Sequence, residues 1–349
     1  MRSCARRACP SDPSTDPQNT ETVLNPSRRS LLASALLAPV AAIHRPVLAQ
    51  ADWPSRPIKL IVAFAPGGFT DIAARLLADS LSRKLGQPVF VDNRAGAAGM
   101  IGTQAAAQAG NDGYTILLGT ISTHAIDVGL GKKLPYDPAK DFLPISGVAK
   151  GPLVMVVPPS LGVKNVSELI ARAKASPGKL TYASGGNGTT SHLAAELFKS
   201  IAGVDMLHVP YKSPSLATTG ILGGQVDVMF DTVPTSLPHV SAGKLVALGV
   251  TGNQSVDLMK NVPALGPVLK GFNPDTWAVL FAPAGVKPEI ASRLSAAVRD
   301  SLAAPEVQKR LSDIGMVPFP VQGRDIAEFI RNDTTRWADL IAKNHITVD

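Results

Sequence analysis

From Pro57 onward the chain alternates short apolar runs with helical patterns, and this alternation limits the possible folds more than any other feature. "IKLIVAF" (58–64) reads as a strand. "TDIAARLLADSLSRKLG" then sets Ile72, Leu76, Leu77, Leu81 and Leu85 on one helical face and stops at Gly86. "PVFVDN" (88–93) is a second strand, "AGMIGTQAAAQAG" a helix of small residues, and "YTILLGT" (114–120) a third strand. Repeated strand–helix–strand units of this kind make a parallel sheet covered by helices on both faces.

The pattern restarts with the helix "VSELIARAKASPG", the strand "LTYASGG" (180–186) and the helix "TTSHLAAELFKSIAG". "MLHVPY" (206–211), "VDVMFD" (226–231) and "LVALGVT" (245–251) supply further strands, and the tail carries two or three amphipathic helices. Two longer extended pieces, 144–158 and 274–283, can each carry the chain between α/β lobes. The expected organisation is a first lobe of 52–150 plus 276–349 and a second of 151–275, joined by a paired hinge around a central cleft.

The sequence before residue 50 is of another kind. Arg28 and Arg29 precede an apolar run from Leu31 to Ile43, and Val47-Leu48-Ala49 offers small residues at the positions a signal peptidase reads. This is a secretory signal, too short to span a bilayer and cleaved near Ala49, so the expected location is the periplasm. The paired arginines fit the twin-arginine route and the general secretory route alike. Removing 1–49 takes away six basic and three acidic side chains, so 28 against 24 leaves +4 in place of +7. The remaining basic residues are scattered singly with few aromatics among them, which argues against nucleic acid. Cys4 and Cys9 leave with the leader, so the mature chain has no disulfide, thiol nucleophile or cysteine ligand.

Two glycine turns answer one another. "FAPGGFTD" (64–71) and "ASGGNGTTSH" (183–192) each follow a strand and feed a helix, one in each expected lobe. A helix start presents unpaired N–H groups and a partial positive charge, and ligands in open α/β sheets settle beyond the carboxyl ends of the strands. Facing across a cleft, the two turns would grip an anion; taken singly, each is also what any tight strand-to-helix turn requires. Thr70, Ser184, Thr189, Thr190 and Ser191 can donate to a carboxylate or simply cap helix ends. Asp71 can stabilise its helix dipole or receive a ligand amine, and Phe69 can wall the cleft or pack on a neighbour. Ser122, Thr123 and His124 follow a third strand end and are placed at the same mouth.

Motifs for catalysis are missing. The histidines lack H-E-x-x-H spacing and cysteine partners, so no metal site is expected. There is no G-x-S-x-G, no dinucleotide fingerprint, and no lysine to make "GGNGTTS" a phosphate loop. No cofactor is expected.

From Trp53 to Asp349 the chain resembles the Bug receptors, extracytoplasmic solute-binding proteins of tripartite tricarboxylate transporters. The stretches that carry the likeness include "WPSRPIKLIVAFAPGG", "DGYTILLGT", "LPYDPAKDFLPIS", "GKLTYASGGNGTTSHLAAELF", "HVPYK" and "GGQVDVMFD". The resemblance implies a type II periplasmic-binding-protein fold of two α/β lobes and a monomeric, non-enzymatic receptor. Its ligand would be a di- or tricarboxylate, an acidic amino acid or an aromatic acid, and its partner the membrane permease of such a transporter. It also implies a ligand site of Pro66, Gly67, Gly68, Phe69 and Thr70 from the first loop, with Asp71 just inside its helix. Ser184, Gly188, Thr189, Thr190 and His192 would come from the second loop, with Ser122, Thr123, His124 and Asp231 at the cleft. Phe69 departs from the family, where a third small residue is usual. The rival readings are a ligand-sensing adaptor for a two-component sensor kinase, and a hydrolase using Ser184 or His192.

Overall fold

Along the first strand, β1 (Ile58–Val62), Ile58, Leu60 and Val62 face one layer of helices while Ile61 faces another. Burial on both faces explains why such strands read as unbroken apolar runs. The structure, a computed structural model, describes residues 53–347. The secretory leader assigned to 1–49, with Cys4, Cys9 and His44, lies outside the described residues.

The remaining strands are β2 (Val89–Asn93), β3 (Thr115–Thr120), β4 (Phe142–Val157), β5 (Thr181–Ser184), β6 (Leu207–Pro210), β7 (Val228–Thr232), β8 (Val246–Val250), β9 (Asp275–Pro283) and β10 (Val317–Pro318). They join in the order β2-β1-β3-β9-β4-β7-β5-β6, with β8 and β10 each pairing to β4. The helices are α1 (Phe69–Leu85), α2 (Met100–Ala107), the short α3 (Asp127–Gly129), α4 (Val166–Ala175), α5 (Thr190–Ala202), α6 (Pro214–Leu222), α7 (Val233–Ser241), α8 (Pro288–Leu302), α9 (Pro305–Ser312) and α10 (Gly323–Lys343).

Two parallel groups, β2-β1-β3 and β6-β5-β7, are joined through the antiparallel pair β4 and β9. β4 runs alongside β9 from Phe142 to Pro152, then leaves it at Leu153 to pair with β7 and β8. The sheet is therefore mixed rather than wholly parallel. In the first lobe α1, α8 and α9 cover one face; α2 and α10 cover the other, against Trp277, Val279 and Phe281 of β9. In the second lobe Met155, Tyr182 and Phe230 pack with α4 and α5, while Val154, Ala183 and Met229 pack with α6 and α7.

Two local differences from the expected pattern have physical causes. The small-residue helix starts only at Met100, because Gly96, Ala97, Ala98 and Gly99 all adopt positive φ. After β3, residues Ser122–Ile126 form a wide π turn before α3, a form that frequently marks functional sites.

Candidate ligand-binding cleft

The carboxyl ends of β1, β3 and β7 and the first turn of α5 converge on one cleft of about 640 Å³, its open mouth included. Leu153 of β4 and Thr276 of β9 form part of its lining.

The first wall is the turn after β1. Gly67 takes φ +85°, which a side chain would disfavour, and its N–H donates to the Asp71 carboxylate (2.9 Å). Asp71 is buried and also accepts from Arg75 and Asn93. Burial would raise its pKa, but the hydrogen bonds from Arg75, Gly67 and Asn93 prevail and hold it below the usual value. The Asp71 carboxylate thus braces the loop, in keeping with a helix-dipole role. Gly68 is the N-cap of α1 and contributes no side-chain cap, so the first helical N–H groups begin at the cleft without one.

The opposite wall repeats the arrangement. Thr189 is the N-cap of α5, yet its hydroxyl turns back to the Gly186 carbonyl (2.7 Å) and makes no cap bond to the helix. Thr190 and Ser191 line the cleft beside it. Ser122, from the π turn, reaches across: its Oγ accepts from the Thr190 N–H at 3.2 Å.

Of the residues singled out from sequence, the structure brings Gly68, Phe69, Thr70, Ser122, Thr189, Thr190, Ser191 and Asp231 to the lining. Pro66, Gly67, Asp71, Thr123, His124, Ser184, Gly188 and His192 stand outside it, several with their polar atoms already engaged. Thr123 Oγ1 bonds the Thr120 backbone and lies 2.8 Å from His124 Nδ1. The His124 ring is buried, stacked on Phe281 at 4.0 Å, and desolvation lowers its pKa to about 3. His192 Nδ1 accepts from the Gly188 N–H (3.1 Å), and its ring stacks on His208 at 4.1 Å, itself stacked on Tyr182 at 4.7 Å. Desolvation lowers His192 to about 3, helped by nearby His208, Lys132 and Lys199.

Ser184 Oγ lies 2.6 Å from His208 Nε2, a spacing that suits a nucleophile and its base. The serine is wholly buried, its hydroxyl also meets Gly186, and neither residue lines the cleft. The pair ties β5 to β6.

The sequence reading missed Thr120, Leu153, Thr232, Thr235 and Thr276. Thr120 and Thr232 end their strands, the signal that marks such positions. The lining contains no Lys or Arg, and Asp231 is its one ionisable side chain. Burial raises the Asp231 pKa, against hydrogen bonds that include the Thr232 N–H (2.7 Å) and the Ser236 hydroxyl (2.8 Å). What the cleft offers an anion is therefore backbone amides, helix ends and hydroxyls. Among the described residues no His/Cys/Asp/Glu cluster could hold a metal ion, and no helix is long and apolar enough to cross a membrane.

A family model described as "Tripartite tricarboxylate transporter family receptor" matches residues 73–346. Protein BugT of Bordetella pertussis is 35% identical over 315 residues, covering 90% of this chain and 96% of its own. Among solved structures, Rpa4515 of R. palustris with adipate superposes with a TM-score of 0.83 at 33% identity, covering 85% of this chain and 99% of that one. MatC of Rhodopseudomonas palustris with bound malate gives 0.77 at 30% identity, covering 82% and 99%.

Proposed function

The chain belongs to the family of tripartite tricarboxylate transporter receptors, and from that premise we propose that it captures a small carboxylate between its lobes in the periplasm and delivers it to a membrane permease. The observation that carries this reading is the pair of helix starts, at Gly68 and Thr189, whose own N-cap residues make no side-chain cap bond and which line one cleft that holds no Lys or Arg. Amide donors to a carboxylate contribute about 1.5–3 kcal/mol each, and more as closure excludes water.

Adipate and malate, the acids held by two relatives, are both dicarboxylates, and a dicarboxylate is the first ligand class to test. The lobes are assigned as 52–150 plus 276–349 and 151–275, and the receptor acts as a monomer. The leader at 1–49 accounts for export. Closure on a ligand that touches both lobes makes occupancy legible to the permease.

The test is a thermal-shift screen of acids, including adipate and malate, against their amides and esters and against sugars. One or a few acids raising the melting temperature, with neutral analogues inactive, supports the proposal. Stabilisation by sugars or by the neutral analogues overturns it. Mass spectrometry of solute that co-purifies with the chain then names the acid.

A further inference from the structure

Outside the cleft lining, one ammonium group joins the two lobes. Lys132, in the turn after α3 of the first lobe, donates to Asp127 Oδ1 at 2.7 Å and to the Asn187 carbonyl of the second lobe at 3.0 Å. Asn187 sits within the glycine turn that precedes α5. Asp127 is fully buried, and its second oxygen, Oδ2, has no hydrogen-bond partner among the described residues.

The geometry leaves little slack. A Cβ added at Gly188 would lie 2.2 Å from Lys132 Nζ and 3.0 Å from Asp127 Oδ1, and Gly188 already has φ +82°. The second turn therefore carries a glycine where the ammonium must come close. The Asp127–Lys132 pair belongs wholly to the first lobe, whereas the bond to Asn187 spans the two.

We propose that Lys132 is a closure latch and a positioning residue. Its ammonium, held in place by Asp127, meets the Asn187 carbonyl only when the lobes are together, and so fixes the second anion-binding turn in its working position. The latch contributes to closure before any ligand adds its own contacts. Ser122 and Thr190 meet across the same seam, but there both partners are neutral hydroxyl and amide groups. At Lys132 the donor is charged and preoriented, and such hydrogen bonds are the stronger kind. The proposal rests on the receptor reading only for its purpose; the latch itself is a statement about the lobes.

The test measures the distance between spin labels at Ile101→Cys and Leu216→Cys, two half-exposed positions on α2 and α6 of opposite lobes. It uses the exported chain, which has lost Cys4 and Cys9 with its leader, after denaturation and refolding to strip bound solute. Without added acid, the parent should show a closed population that Lys132→Met reduces about tenfold, the lower end expected for a hydrogen bond to a charged group. Asp127→Asn combined with Lys132→Met removes the stranded carboxyl; it should recover melting temperature yet keep the reduced closed population. An unchanged distance distribution in Lys132→Met, or no closed population in the parent, overturns the latch. Because no acid is present, these results are separate from a screen in which no acid binds, which would overturn the receptor reading instead.

Discussion

Ser122 Oγ lies 3.2 Å from both the backbone nitrogen and the hydroxyl oxygen of Thr190, so a residue of one lobe caps the first turn of the other lobe's helix. A cap supplied in this way exists only when the lobes meet. Ser122→Ala should weaken acid binding about fivefold, corresponding to roughly 1 kcal/mol for the lost hydrogen bond. The melting temperature of the ligand-free protein should hardly move. Calorimetric titration beside a thermal melt checks both, and a large loss of stability with unchanged affinity would refute the assignment.

Gly68 provides a cleaner probe of the first helix start. Its backbone, at φ −87° and ψ 173°, suits any residue, and a Cβ there meets nothing within 4 Å. Gly68→Val should therefore fold normally while its methyls crowd the amides at the mouth of α1. Affinity should drop at least about tenfold, near 1.4 kcal/mol. Unaltered binding would clear this turn of any part in ligand recognition.

Phe69 is only 6% exposed and belongs to the core beneath α1, besides lining the cleft. Phe69 therefore does both things the sequence allowed, walling the cleft and packing on its neighbours. Phe69→Ala should destabilise the protein by about 3–5 kcal/mol, as large-to-small core changes do. Phe69→Leu keeps most of the apolar volume and should shift the ranking of acids in the thermal screen. Denaturant unfolding separates the two effects.

Acid should loosen the fold through its histidines. Desolvation lowers His124 and His192 to about 3 and His208 to about 4, against about 6.5 when unfolded. Between these values the unfolded chain binds more protons, so the stabilisation is complete above pH about 6.5 and falls away as pH drops toward 3. Asp127, pushed up to about 6 by burial against the pull of Lys132, acts in the opposite sense. The informative quantity is thus the difference between variants. His208→Gln should flatten the pH dependence of the urea midpoint by about one proton, and equal slopes would show that His208 is already charged.

Much of this was open to sequence reasoning because both helix starts sit where an apolar run, a Gly-Gly pair and a helical pattern follow in order. Depth was not open to it. Ser184 and Thr189 occupy one short motif, yet Ser184 ends a strand with its side chain turned toward His208 while Thr189 faces the cleft. Thr232 and Thr235 escaped notice because Pro234 and Pro238 disguised α7, although the first of these prolines suits an initial helical turn. The positive φ values at Ala97 and Ala98 run against the preference of L-residues, and nothing in a run of small residues announces them. Lys132 looked like one more scattered base until the fold set it against Asp127 and Asn187.

The two passages between the lobes are neighbouring strands, hydrogen-bonded to each other from Phe142↔Pro283 to Pro152↔Asp275, with irregular register near Ile145 and Val148. Neither strand can flex without dragging its neighbour, so the pair behaves as a single torsion bar rather than as two loose tethers.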